Sequence, residues 1–298
     1  MAGEKKRVAI ISVFAAIFLT LSKLVIGLLT GSLGILSEAL HSGLDMVAAI
    51  ITYFSVSVSD RPPDKKHNFG HGKIENISAF IETVLLLITC AWIIYEAVER
   101  LTSGNTHIKV NIWSYIVIIS SILIDINRSR MLSKAAKKYR SQALEADALH
   151  FSTDIWSSAV VLFGLICANF GFFFADSVAA LVVALIVLVV CYKLGKKAID
   201  VLLDKAPHEV VVLARNTIRS YTEIKQYHNL KVRTSGAYTF ISFNIHLNSG
   251  LSVLQAHEIC NKIEKELSNL IPQSEVFIHV EPIEPENSHA ENNNLILT

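Results

Sequence analysis

The sequence predicts an α-helical membrane protein with six transmembrane helices and a small cytoplasmic α+β domain at its C-terminal end. Hydrophobic residues make up 52% of the 298 residues, and the mean hydropathy is +0.45, which is high for a soluble protein of this length. The apolar residues are concentrated in long runs before residue 195, whereas the rest has an ordinary soluble composition. We therefore expect one domain in lipid and one in water.

Six apolar segments each approach the roughly 20 residues that a helix needs to cross the hydrocarbon core of a bilayer. They lie at residues 8–29, 33–58, 77–101, 110–127, 145–169 and 173–194. Lysine and arginine cluster on one side, before the first segment, after the sixth and in two of the connecting loops. By the positive-inside rule both termini face the cytoplasm. We expect a multi-pass protein of the cell membrane, with a bacterial inner membrane as the default location.

Beyond residue 205 the pattern is that of a metallochaperone-like domain with the element order α-β-β-α-β. Helical spacing predicts helices over residues 208–221 and 253–270, and period-two alternation or short apolar runs predict strands over 228–235, 238–247 and 275–281. The predicted domains are a transmembrane domain (1–204), a cytoplasmic domain (205–283) and a polar, Asn-rich tail (284–298) that is expected to be disordered.

Composition and cysteine spacing exclude several classes of protein. A net charge of +1 argues against a dedicated nucleic-acid binder. The four cysteines, Cys90, Cys167, Cys191 and Cys260, form no CxxC pair and are interpreted as buried thiols. The chain contains no P-loop, so no nucleotide-driven pump is expected.

The strongest chemical signal is ionisable residues inside two predicted spans. His41 and Asp45 in the second span and His150 and Asp154 in the fifth both follow the pattern H-x-x-x-D, which places the two side chains one turn apart on one helix face. A carboxylate at the bilayer centre costs about 2.5–3.5 kcal/mol on insertion scales, so such residues need a function or a partner. Together the four offer two nitrogens and two oxygens, a tetrahedral set that suits zinc.

Two other interpretations of these four residues stay open, a polar helix-packing cluster without metal and a pure proton relay. Three further ionisable residues lie in or near the spans, Lys23, Glu82 and Asp125, and we assign them structural roles. Lys23 is long enough to direct its ammonium group toward the membrane interface.

Several segments of this chain resemble the cation diffusion facilitator family, close to its bacterial zinc- and iron-efflux members. They are Gly31-Ser32, Ser37–Asp45 (SEALHSGLD), Asp64–Lys73 (DKKHNFGHGK), Glu145–His150 (EADALH) with Asp154, and Leu202–Asp204 (LLD). The resemblance extends from the first span to about residue 283.

The resemblance implies a homodimer, with no enzymatic activity and no cofactor, that exports divalent metal from the cytoplasm in exchange for protons. It implies that His41, Asp45, His150 and Asp154 form the transport site. Relatives with Asp or Asn at the first position of a pair tend to accept cadmium, manganese or iron, so two histidines resemble the zinc-preferring pattern. Zinc is then the substrate and also a structural or regulatory ion.

Three further groups of residues follow from the resemblance. Asp64, His67 and His71 in the second loop have residue types that suit a partly open zinc site, unless they form only a solvated loop. In the cytoplasmic domain the candidate metal ligands are His228, His246, His257, His279 and Glu281, unless these are only surface side chains. Lys73 and Asp204 match a salt bridge that joins the two domains of relatives, or are two solvated charges.

Two other functional classes compete with transport. An intramembrane metalloprotease needs H-E-x-x-H on one helix, and the His-Glu dipeptide His257-Glu258 has no suitable second histidine. A non-transporting metal sensor or scaffold of the same fold is expected to lose part of the membrane quartet, which is complete here. The alternative that stays closest is the same transporter with manganese, iron(II) or cadmium as its main substrate.

Overall fold

The computed structural model describes residues 2–30, 33–103, 112–169 and 175–283. These divide into two compact units, the first made of residues up to Leu203 with the turn Ser235–Ala237 and the second of the other residues from Asp204 onward. The predicted disordered tail, residues 284–298, lies outside the described residues.

The first unit contains six long helices in its described residues. They are α1 (Ala2–Thr30), α2 (Leu33–Ser59), α3 (Lys73–Ser103), α4 (Ile112–Tyr139), α5 (Gln142–Asn169) and α6 (Ala175–Leu202). Within the described part of the chain, three segments are long and apolar enough to cross a membrane, namely Gly3–Leu29, Ala39–Ser59 and Lys73–Glu99. The sixfold span count thus stays a prediction, although each of the other three helices has 28 residues.

The fourth helix extends twelve residues past the predicted end of its apolar segment. Its C-terminal half is rich in Arg, Lys, Leu and Ala, which favour helix formation wherever no glycine or proline interrupts them. The helix ends where Arg140 adopts a left-handed conformation (φ 51°) and the Ser141 N–H donates to the Ala136 carbonyl oxygen at 3.1 Å. This is the geometry of a Schellman C-cap.

The helices pack in closely associated pairs, α1 with α2, α3 with α6 and α4 with α5. Small residues line much of the buried contact among α1, α2, α4 and α5, including Ala9, Ala49, Ala136 and Ala148. Small side chains allow close approach of helix backbones in a membrane, where no hydrophobic effect drives helices together. Large apolar side chains such as Phe14, Trp92 and Leu185 point outward and are more than 60% exposed, as expected for lipid-facing positions.

The second unit has the predicted order of elements. It consists of α7 (His208–Ser220), β1 (Gln226–Ser235), β2 (Tyr238–Leu247), α8 (Val253–Leu270) and β3 (Ser274–Pro282). The sheet order is β1-β2-β3, and β2 and β3 run parallel with His246 opposite Glu281. The prediction of an α+β domain is confirmed, and the strand limits differ from it by two residues or fewer.

Alternation along β2 builds the core of this unit. Ile241, Phe243, Ile245 and Leu247 are buried in one cluster with apolar residues of α7 and α8, whereas the intervening Ser242, Asn244 and His246 are only half-buried. Because side chains alternate across a strand, the polar face is left for ligand binding. Helix α8 begins with a capping box in which the Ser252 hydroxyl oxygen accepts from the Gln255 N–H and the Gln255 side chain accepts from the Ser252 N–H.

Replacing a buried leucine of α8 tests this core. Leu267 is 0% exposed and Leu254, on the same helix, is 68% exposed. We expect Leu267→Ala to lower the free energy of unfolding by about 2–5 kcal/mol, because the substitution leaves a cavity. Leu254→Ala is the matched control, expected to change it by less than about 0.5 kcal/mol. Hydrogen exchange of the β2 amides in the full chain measures both values, and equal effects would contradict the assigned core.

Candidate metal sites

The four ionisable residues of α2 and α5 that the sequence singled out come together in the interior of the helical unit. Helix α2 carries His41 and Asp45, helix α5 carries His150 and Asp154, and the two helices pack against each other. The spacing of four residues places each pair on one helix face, and the packing turns the two faces toward one another. We call these four residues the quartet.

Each histidine of the quartet faces the carboxylate of the other helix. His150 Nε2 lies 2.9 Å from Asp45 Oδ1, and His41 Nε2 lies 3.6 Å from Asp154 Oδ1. His150 Nε2 is also 3.7 Å from Asp154 Oδ2. Bonds of about 2.0–2.2 Å in a tetrahedral zinc site place ligand atoms about 3.3–3.6 Å apart, and these three separations are near that range. The ligand atoms of His41, Asp45 and Asp154 all lie within 4.8 Å of one another, and His150 contacts this group through the two carboxylates.

The quartet is buried but has one accessible member. Asp45, His150 and Asp154 are each at least 92% buried, while 28% of the His41 side chain is exposed. Asp154 Oδ2 and His150 Nδ1 have no hydrogen-bond partner. A buried carboxylate oxygen without a donor is costly, and a bound cation would remove that cost. His41 is therefore the most exposed of the four residues.

Helices α1 and α4 hold further ionisable residues in structural contacts. Asp125 accepts from Arg128 Nη1 at 3.2 Å, and the Arg128 guanidinium carbon lies 3.5 Å from the centre of the Phe151 ring. Lys23 is only 6% exposed and donates to Ser42 Oγ at 2.8 Å. Lys23 is therefore buried against α2 in the structure, in contrast to the interfacial position that its length allows.

Asp64, His67 and His71 form a second group in the loop between α2 and α3. Asp64 Oδ1 lies 3.2 Å from His67 Nδ1, and Asp64 Oδ2 lies 3.5 Å from His71 Nε2. The two imidazole rings are 4.4 Å apart between centroids. His71 is only 12% exposed at its side chain, and its Nδ1 is buried without a partner. The group thus offers three ligand atoms with one side open to solvent, as in zinc sites that bind water.

The backbone fixes the carboxylate of this loop group. The N–H groups of Lys66 and His67 donate to Asp64 Oδ1 at 2.8 and 2.7 Å. These two bonds, that of His67 first, lower the pKa of Asp64 below its ordinary value, because they stabilise the ionised form. Asp64 is thus a pre-oriented anion at neutral pH.

A third group lies on the polar face of the sheet in the second unit. Glu281 is 3.3 Å from His246 Nε2, 3.6 Å from His228 Nε2 and 3.7 Å from His279 Nε2. The ligand atoms of His228, His246 and Glu281 lie within 4.8 Å of one another. The parallel register of β2 and β3, which sets His246 opposite Glu281, produces this arrangement. Two imidazoles and one carboxylate again have the chemistry of a zinc site.

Sequence reasoning missed one residue of this third group, Asn244. Its side-chain amide donates to Glu281 Oε1 at 2.6 Å and lies 3.3 Å from His228 Nε2. It therefore orients two of the three ligands. The signal was present in the sequence, because Asn244 is two residues before His246 and shares its face of the strand.

The remaining predicted residues lie apart from these groups. His257 is exposed on α8, the helix that packs against the apolar side of the sheet, so a single chain does not bring it to His246 and Glu281. Lys73 begins α3 and donates to the Leu202 carbonyl oxygen at 3.4 Å. Asp204 lies in the second unit, with a carboxylate oxygen 3.8 Å from Arg233 Nη1.

Comparisons with known proteins cover both units. Residues 9–203 match the family described as "Cation efflux transmembrane domain", and residues 206–283 match the one described as "Cation efflux protein, cytoplasmic domain". The chain is 29% identical to the cation-efflux pump FieF of Serratia proteamaculans, over 93% of this chain and 92% of that protein. It is 28% identical to the manganese efflux system protein MneP of Bacillus subtilis, over 95% of this chain and 99% of that protein.

A solved structure is also similar to the C-terminal part. It is the metal-bound C-terminal domain of the CzcD transporter from Thermotoga maritima, with 29% identity. The match covers 25% of this chain and 87% of that one, with a TM-score of 0.24.

The turn around Asp64 has a pH dependence whose sign follows from its hydrogen bonds. Since the folded pKa is depressed, the stabilisation of the loop is present above the unfolded aspartate value and is lost as the pH falls through the folded pKa. We expect the side-chain carboxyl resonance of Asp64 in the full-length, isotope-labelled protein to titrate below the value of an unstructured aspartate. A midpoint at or above that value would show that the turn does not form.

Proposed function

The chain belongs to the cation diffusion facilitator family of divalent-cation efflux transporters, and on this premise we propose that it is a zinc(2+)/proton antiporter that exports zinc from the cytoplasm. The observation that carries the proposal is the quartet, in which two imidazoles and two carboxylates meet inside the helical unit at separations of 2.9–3.7 Å. His41, Asp45, His150 and Asp154 are the proposed ligands. Two carboxylates balance the two charges of the ion, so the loaded site is neutral.

Ligand chemistry supports zinc over the other divalent metals. Imidazole nitrogen suits zinc, whereas manganese and magnesium prefer carboxylate, carbonyl and water oxygens. Because half of the quartet's ligand atoms are imidazole nitrogens, a tetrahedral zinc ion fits better than an octahedral manganese ion. Manganese and iron(II) are the competing substrates, since the related MneP is named for manganese efflux.

Competition between metal and protons for the same ligands provides a route to exchange. Histidine titrates in the physiological pH range, and metal binding requires its neutral form. In the state that opens to the cytoplasm, zinc binds and protons leave the ligands. In the state that opens to the other side, protons displace zinc. The proton gradient then drives export across the cell membrane, with both termini in the cytoplasm.

The two cytoplasmic groups are proposed as additional zinc sites. Asp64, His67 and His71 form the loop site, and His228, His246 and Glu281, with His279 beside them, form the site of the second unit. We further propose that the chain is a homodimer in which Lys73 and Asp204 form the interlock between domains. Zinc at the second unit biases transport only if it binds one conformational state better than the other.

Removing one ligand of the quartet tests the proposal directly. We expect His41→Ala or Asp154→Ala to abolish zinc flux into reconstituted vesicles under an imposed pH gradient, because the loss of a ligand weakens zinc binding against the protons that compete for the remaining ligands. Cadmium, manganese and iron(II) are measured alongside. Glu145→Gln is the control, since Glu145 lies on α5 with Asp154 but is 41% exposed and paired with Lys197 at 2.6 Å.

The outcomes separate the functional classes. Zinc flux lost in the ligand variants and kept in the control supports the antiporter. Near-normal flux in a quartet variant would refute the ligand assignment. No flux of any metal from correctly inserted wild-type protein would favour a sensor or scaffold, and preferential manganese or iron(II) flux would change the substrate.

Zinc binding to the second unit has its own test. Zinc at one hundred times its Kd is expected to raise the free energy of unfolding of this unit by about 2.7 kcal/mol. His246→Ala should remove that increase, because it deletes a ligand 3.3 Å from Glu281. His257→Ala, an exposed histidine of the same unit, should keep it. Hydrogen exchange with and without zinc gives both values, and an equal loss in the two variants would contradict the assigned ligands.

A further inference from the structure

Two buried carboxylates lie near the quartet but outside it, Glu82 on α3 and Asp147 on α5. They are 2% and 0% exposed. Helices α3 and α5 pack together at this level, where Ala79 and Ala146 belong to one buried cluster. The two carboxylates therefore lie near one another in the interior. Asp147 is also one helical turn from the quartet, three residues before His150.

Each of these carboxylates is satisfied on only one oxygen. Glu82 Oε1 accepts from the hydroxyls of Thr52 and Ser78 at 2.5 and 3.1 Å, and Asp147 Oδ2 accepts from that of Ser12 at 3.3 Å. Glu82 Oε2 and Asp147 Oδ1 are buried without a partner. Buried polar atoms nearly always have a partner, so two such oxygens on neighbouring residues require an explanation.

The charged groups around this pair include a fixed cation on the side of Asp147. Helix α4 contributes Arg128, which is already paired with Asp125 at 3.2 Å and donates to Ser12 Oγ. Helix α2 contributes Asp45 and α5 contributes His150. At this level α1 presents the Ser12 hydroxyl, and α6 presents Ala198. Arg128 carries one positive charge and is already paired with Asp125. Two further ionised carboxylates would therefore exceed the charge that Arg128 can balance, which is disfavoured in a low-dielectric interior.

We propose that Glu82 and Asp147 form the binding site of the coupling proton, separate from the four metal ligands. The inference rests on the proposed exchange of metal for protons. It assigns the two residues that bind one of the exchanged protons. A proton on either residue removes one negative charge. It also supplies a hydrogen-bond donor to two carboxylates that each have one oxygen without a partner. The side chains that hydrogen-bond to the pair are hydroxyl groups, and oxygen ligands favour a proton or a hard cation over zinc.

Electrostatics couples this pair to the quartet. Zinc in the quartet places two positive charges about one helical turn from Asp147, and this lowers the affinity of the pair for a proton. By linkage, a proton on the pair lowers the affinity of the quartet for zinc by the same factor. Exchange therefore does not require the proton to occupy the atoms that ligate the metal.

Charge-neutral variants test the assignment in the full-length protein reconstituted in vesicles. Glu82→Gln and Asp147→Asn keep the size of each side chain and remove its ability to carry the proton. Zinc flux, zinc-driven proton flow and equilibrium zinc binding are measured for each. Glu145→Gln is the matched control, two residues from Asp147 on α5 but half-exposed and paired with Lys197.

We expect both variants to bind zinc and to pass it down its own concentration gradient. The acceleration of zinc flux by a pH gradient should fall about tenfold or more, within the usual range of coupling between two sites. The control should match the wild type. Wild-type proton flow in both variants would overturn the proposal, as would loss of equilibrium zinc binding, which would place the pair within the metal site. Absence of zinc flux in the wild type would instead refute the proposed function.

A second measurement requires no transport by any variant. The infrared spectrum of the zinc-free wild-type protein at neutral pH should contain the carbonyl band of a protonated, buried carboxyl group. That band should shrink when zinc is added and should be absent or reduced in Glu82→Gln. A wild-type spectrum without the band, or a band that zinc does not change, would overturn the proposal even if both variants failed to insert.

Discussion

The cost of holding charge away from water governs the arrangement of the helical unit. A carboxylate in the low-dielectric interior must be compensated by a cation, a proton or several donors. Two buried acids meet this requirement with fixed cations, Asp125 with Arg128 and Glu75 with Lys5. Asp45 and Asp154 instead face histidines. Glu82 and Asp147 accept hydrogen bonds from hydroxyl groups. In the proposed function, a metal ion or a proton supplies the compensation of these four carboxylates.

The contacts of these acids distinguish those that hold the helices together from those of the proposed transport site. Glu75 is 1% exposed and contacts Lys5, Ser59 and Ser141, so it links α1, α2 and the start of α5 to α3. The quartet instead leaves Asp154 Oδ2 without a donor and exposes part of His41. A fixed salt bridge stabilises one arrangement of helices. An ion bound at the proposed transport site would instead stabilise whichever conformational state binds it better.

Much of this was readable in the sequence because it depends on local periodicity. Four-residue spacing places His41 over Asp45 and His150 over Asp154, and period-two alternation separates His246 from the core side chains of β2. The crossed pairing of each histidine with the opposite carboxylate depends on how α2 and α5 rotate against each other, which no local pattern encodes. The sequence predicts only a structural role for Glu82. Local periodicity does not show that the hydroxyls of Thr52 and Ser78 contact one carboxylate oxygen and leave the other without a partner. His257 has the right chemistry for a ligand, but its helix lies on the apolar side of the sheet.

The most direct test of the central claim is X-ray absorption at the zinc edge of full-length protein in which only the quartet can be loaded. Substituting alanine removes the other ligands at His67, His71, His228 and His246. We expect the zinc ion to have four nitrogen or oxygen neighbours at about 2.0–2.2 Å, and two of them should show the outer-shell scattering of imidazole. A six-coordinate shell of oxygens, or a spectrum without imidazole scattering, would show that zinc is not held by His41, Asp45, His150 and Asp154.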